Sequence, residues 1–89
     1  MSEPTVIKLD YPVDAGSETI DELRLTRPKV KHLKQMDEIE GDVAKAEMMI
    51  SVLSGVPLSV ISNMDAVDFA KAGEVLDGFL GSALPIGGK

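Results

Sequence analysis

The sequence predicts a mainly helical α+β fold, an N-terminal β-hairpin followed by about four mostly short helices. Three observations carry this. Two segments with alternating, β-branched character flank a run of turn formers, apolar residues recur at helical spacing after Pro28, and Gly and Pro punctuate the later pattern.

The hairpin is expected over about residues 5–26. Thr5 to Leu9 and Thr19 to Thr26 supply the strands, and Asp10 to Gly16 the turn-rich connection. Ile20 is out of phase with Leu23 and Leu25, which predicts either a bulge or a pairing that begins only near Asp21. Two strands are barely stable alone, so the hairpin has to pack on the helices or on another chain.

Pro28 suits the first turn of a helix, and Val30, Leu33 and Met36 follow at helical spacing, predicting a helix over 27–36. A longer amphipathic helix is expected over 42–54 on the stripe Val43, Ala46, Met49/Ile50 and Leu53, ending at Gly55. Pro57 to Asn63 allows only about two turns, with Leu58, Ile61 and Val60 on its apolar side. Asp65 is placed to cap a last helix over 66–80, with Asp68 in its first turn complementing the exposed amides and the macrodipole. Phe69, Ala72/Gly73, Leu76 and Phe79/Leu80 line one face of that helix. Gly73 and Gly78 are expected to mark close packing. One domain over 1–81 and a flexible tail over 82–89 complete the reading.

Eighty-nine residues allow one small domain, marginally stable without a partner. Aromatics are only 3 % of the chain, so the core has to rely on Val, Ile, Leu and Met and is adaptable rather than sharply specified. The absence of cysteine excludes a disulfide framework and thiolate zinc. The first residues lack the basic and apolar regions of an export signal, and no run reaches the roughly 20 apolar residues of a membrane span, so no membrane association is expected. The net charge of −6 is uneven: residues 1–35 balance six basic against six acidic side chains, whereas 36–89 carry three against nine. The C-terminal part should therefore repel phosphate backbones.

No catalytic constellation is evident, and neither a cofactor nor a metal is expected. His32 is the only histidine. Asp65 with Asp68, and Asp37, Glu38 and Glu40, could gather a hard cation, but capping explains the first group and solvation the second. Arg24, Arg27, Lys29, Lys31, His32 and Lys34 form a basic cluster without aromatic interleaving. It reads as a solvated face or an electrostatic seat for an acidic neighbour rather than a nucleic-acid patch. The stretch from Ala46 to Met64 imitates a helix-turn-helix, yet Leu58 to Asn63 holds no Arg or Lys to meet phosphate. A small carrier domain is a further alternative, but the expected Asp-Ser-Leu at a helix start is lacking.

Taken in order, Leu23 to Leu33 (LRLTRPKVKHL), Ile50 to Pro57 (ISVLSGVP), and Met64 to Phe69 (MDAVDF) through Phe79 and Leu80 resemble the tail assembly chaperones of contractile-tailed phages, of the Mu-like and E type. The resemblance covers roughly Val6 to Leu80. It implies a non-enzymatic protein of the host bacterial cytoplasm, absent from the mature virion, that binds the tape measure protein and keeps it soluble until tail tube polymerisation. It also implies a short form and a frameshift-extended form as partners. The exposed strand edge of the hairpin makes a homo-oligomer expected, and the tail tube protein is a further expected contact. Gly78-Phe79-Leu80 can be encoded GGT TTT TTG and Gly87-Gly88-Lys89 GGG GGA AAG, each containing a slippery heptamer. The alternative is an acidic helical interaction domain or a helix-turn-helix-like regulator.

Met-rich surfaces repack around varied apolar ligands. Met49, Val52, Leu53, Val56, Leu58, Val60, Ile61, Met64, Phe69, Leu76, Phe79 and Leu80 are therefore the candidate client or self-association residues. Arg24, Arg27, Lys29, Lys31 and Lys34 are the candidate electrostatic contacts. Met48 shares the same choice between core and surface.

Overall fold

The computed structural model describes residues 4–80, with β1 over Thr5–Asp14 and β2 over Thr19–Leu25 paired as an antiparallel hairpin. Four helices follow: α1 (Val30–Asp37), α2 (Asp42–Ser54), α3 (Leu58–Ile61) and α4 (Ala66–Leu80). The tail expected over 82–89 lies outside the described residues. One face of the hairpin packs on α2 through β2 and on α4 through β1. Ile7, Leu9, Val13, Leu23 and Leu25 from the strands meet Met49, Ile50, Leu53, Ile61, Ala72 and Leu76 from the helices.

The predicted bulge is present, but on the opposite strand. Lys8 pairs with Glu22 and Val13 with Ile20, so Leu9 to Pro12 of β1 stand against the single residue Asp21. Pro12 has no amide to donate and is tolerated in such a bulge. Four residues standing against one shift the pairing phase, so Ile20 lies opposite buried Val13 and is half-buried against the core although it is out of step with Leu23 and Leu25. Pairing extends to Asp14 and Thr19, so it does not begin only near Asp21.

α1 begins three residues later than expected. Pro28 precedes the N-cap rather than opening the first turn, and Lys29 has extended backbone (φ −116, ψ 170). His32 Nδ1 accepts the Lys29 amide at 2.8 Å, which supplies one half of a capping box; an ammonium has no acceptor to return the other half. That bond needs a neutral imidazole. Burial, with Lys31 and Lys29 nearby, moves the His32 pKa below its ordinary 6.5 and keeps it so.

α2 ends at Gly55 as its sequence dictates, in the left-handed region (φ 78) that only glycine adopts cheaply. The amide and hydroxyl of Thr26 both donate to the Leu53 carbonyl, at 3.2 and 3.3 Å, which satisfies an orphan acceptor and ties β2 to this helix end. Val43, expected on the buried stripe, is 64 % exposed because the first turn of α2 projects beyond the core. α3 is shorter than predicted: after Ile61 the Asn63 and Met64 amides reach back only three residues, a tightening that stops the helix. Asp65 caps α4 as expected, its Oδ1 accepting the Val67 amide at 2.9 Å.

Asp68 departs from expectation. Its side chain is fully buried and turns away from its own helix end to β1. There the carboxylate accepts the amides of Asp10 and Tyr11, each at 2.9 Å, the donors that the bulge leaves without a strand partner. Lys71 Nζ lies 3.5 Å from this carboxylate and 3.0 Å from that of Asp10, and donates to the Lys8 carbonyl at 3.3 Å. Burial opposes ionisation of Asp68, but the two amides and the Lys71 ammonium outweigh it and hold the pKa below its ordinary value. The hydrogen bond to Asp10 is the main cause that raises the Lys71 pKa.

Candidate docking surface

Two open grooves flank α2. The first, about 180 Å³, is lined on α2 by Val43 and Glu47, and on the later segments by Ile61, Met64, Ala66 and Phe69. Ser62 Oγ donates to Glu47 Oε2 at 2.9 Å, bridging its two sides. The second groove, about 460 Å³, has Ala46 and Met49 of α2 as its floor and Gly73, Glu74, Leu76 and Asp77 as its α4 wall. It shares Met36 and Lys45 with an adjoining space of about 320 Å³ that α1 lines through Val30, Leu33 and Lys34.

The grooves sort the candidate residues. Met49, Leu53, Ile61 and Leu76 are 2 %, 3 %, 2 % and 7 % exposed, so they belong to the core and reach the grooves only as floor. Val56, Val60, Met64, Phe69 and Phe79 are half-buried against that core, Met48 is half-buried, and Val52 and Leu58 are exposed. Ile61, Met64 and Phe69 meet in the first groove, while Met49 and Leu76 meet in the second. The side chain of Leu80 lies outside the described residues. Sequence reasoning missed Val43 and Val30 as surface residues, because each continues a helical apolar stripe whose first turn overhangs the core.

The basic residues divide as well. Arg24 pairs with Glu22 at 3.1 Å, and the Arg27 guanidinium sits 5.5 Å from the Phe79 ring centroid, joining the segment after the hairpin to the end of α4. Lys29 at the N-cap of α1 and Lys31 and Lys34 within it are exposed. Lys29 and Lys31 help line a polar cleft of about 410 Å³ with Thr26, Arg27 and His32.

Among the described residues Gly73 and Gly78 do not mark close packing: a Cβ at either would meet no neighbouring group of these residues within 4 Å. Each costs α4 up to about 1 kcal/mol relative to Ala.

A family model for phage tail assembly chaperone proteins, E, or 41 or 14, matches residues 6–81. The chain belongs to the phage tail assembly chaperone family. Comparison with curated proteins and with solved structures gave no match. The family implies a non-enzymatic role for this chaperone. Among the described residues no group of three or more acidic or His side chains is placed to hold a metal ion, and no helix is long and apolar enough to cross a membrane. The helix-turn-helix alternative loses its reading element, since α3 has four residues and spans about 6 Å.

Proposed function

We propose that this chaperone binds the tape measure protein of a contractile-tailed phage and keeps it soluble before the tail tube polymerises. The observation that carries the reading is an apolar groove with an exposed valine rim at Val43 on a member of the tail assembly chaperone family. Docking of an apolar client stripe there gains about 25 cal/mol per Å² of area removed from water. One shallow groove binds weakly. Many copies along a repetitive client add avidity, and the net charge of −6 on each copy keeps the assembly apart from its neighbours.

In this reading the chaperone acts in the host bacterial cytoplasm, leaves before the virion matures, and is the short form of a frameshifted pair. The coding DNA tests the last point: one of the two heptamers at Gly78-Phe79-Leu80 or Gly87-Gly88-Lys89 is expected, and the absence of both overturns it.

Coexpression with the long open reading frame of the tape measure type tests the main proposal. The client is expected to become soluble and to co-purify with several chaperone copies. Val43→Glu combined with Ala66→Glu should abolish this, because both exposed residues line the first groove. Both changes place an acid in the first turn of a helix, where the macrodipole favours it, so the fold is retained. A client that stays insoluble with both the short and the extended form refutes the reading.

A further inference from the structure

We propose that the first groove selects a client segment whose apolar stripe is flanked on both sides by Lys or Arg, one of which meets Glu47. This rests on the client-binding reading and goes beyond it by naming the chemistry of the bound segment.

Three observations converge on it. The groove is acidic on both sides: Glu47 stands on its α2 wall, and exposed Asp65 lies between Met64 and Ala66 on the other. Among the described residues no Lys or Arg lines it. Residues 42–69, which supply every wall, hold one cation, Lys45, and that side chain lines the second groove beside Met36 and Asp42. Finally, the Glu47 carboxylate is half-buried and, among the described residues, has a single partner, the Ser62 hydroxyl at 2.9 Å.

The cost of covering that carboxylate decides the occupant. A segment whose apolar side chains settle over Ile61, Met64 and Phe69 also closes over Glu47 and removes its water. One hydroxyl does not replace that hydration, so docking without a further donor leaves a desolvated charge. A cation from the client restores the balance through a charge-assisted hydrogen bond. An acidic segment or a phosphate backbone instead meets like charge on both sides. The groove, about 180 Å³, is smaller than the roughly 300–1,000 Å³ of a small-molecule pocket. It therefore seats side chains of a polypeptide rather than enclosing a free ligand.

Two synthetic peptides test this, with the same leucine stripe at helical spacing, flanked by Lys in one and by Glu in the other. Each is titrated into the isotope-labelled full chain and followed by NMR, which reads weak binding and its location. The Lys peptide is expected to bind at least about tenfold more tightly and to shift the amides of Val43, Glu47, Ser62 and Phe69. Glu47→Gln keeps an acceptor for Ser62 and should reduce the preference by at least about threefold. Glu74→Gln removes the same formal charge from the α4 wall of the second groove and should leave the preference unchanged. Equal effects of the two variants mean general attraction to an acidic chain and overturn the proposal. So do equal binding of both peptides, no binding up to millimolar peptide, or shifts confined to the second groove. A chain that solubilises its client but shows no Lys preference overturns this inference alone. A Lys preference without solubilisation by either form refutes the tape measure reading alone.

Discussion

Replacing Asp68 by Asn changes one atom and removes the clamp between α4 and the bulge of β1. The carboxylate offers an oxygen to each of the Asp10 and Tyr11 amides, while a carboxamide has one oxygen and turns an NH2 toward the other amide. One charge-assisted hydrogen bond becomes a neutral one, the other becomes a donor facing a donor, and the pairing with Lys71 is lost. For a domain of this size the thermal midpoint should fall on the order of 10 °C. Circular dichroism melts read the shift. Amide exchange by NMR reads its location, with the Asp10 and Tyr11 amides losing protection first. The pH dependence has a definite sign. Because the folded pKa of Asp68 lies below its ordinary 3.8, its stabilisation is present above 3.8 and is lost as pH falls through the folded value. Lys71 is raised, so its contribution is full below 10.5 and is lost as pH rises through its folded value. The deficit of the variant should therefore be level from mildly acidic to neutral pH and close in strong acid, where the wild type loses the clamp as well. An unchanged midpoint, or a deficit that persists in strong acid, refutes the reasoning.

Ile50→Ala empties a fully buried site at the centre of the core and should cost about 2–5 kcal/mol, measured by urea unfolding; in so small a domain this leaves little stability. Gly55→Ala forces an L residue to φ 78 and should cost about 1–2 kcal/mol although nothing lies near the added methyl, so an unchanged denaturation midpoint counts against the strained cap. His32 is a weaker, titratable element. Its folded pKa lies below 6.5, so the neutral cap is worth most above pH 6.5 and fades as pH falls through the folded value, and His32→Ala should flatten that part of the stability profile.

The hairpin, the end of α2 at Gly55 and the Asp65 cap were legible because each is written in adjacent residues. The bulge was half legible. Ile20 announced an irregularity, but Pro12 was the better sign, since a strand tolerates it chiefly at such a break. The role of Asp68 was hidden because its partners lie 57 and 58 positions away in the chain. A signal did exist: Asp68, Ala72 and Leu76 recur every fourth residue, which places the aspartate on the buried face of α4 and asks what satisfies it there. For the docking surface, helical periodicity identified apolar residues without separating core from rim. Met49, Leu53, Ile61 and Leu76 went inward while Val43 and Val30 overhung, because burial depends on where each helix ends relative to the hairpin.

The arrangement around α2 gives client binding an internal control. Val43 and Glu47 face the groove with Ile61, Met64 and Phe69, whereas Ala46 and Met49 face the groove whose wall is α4. These are different faces of one helix, so a client in the first groove leaves the second open. V43E/A66E should then lose client solubilisation. E74K/D77K, on the α4 wall of the second groove, should keep it. Coexpression yield, run on both variants with circular dichroism as a check on folding, measures the difference. If solubilisation falls equally in both while the helical signal is retained, the client is not confined to the first groove, and the assignment of client binding to that face of α2 is wrong.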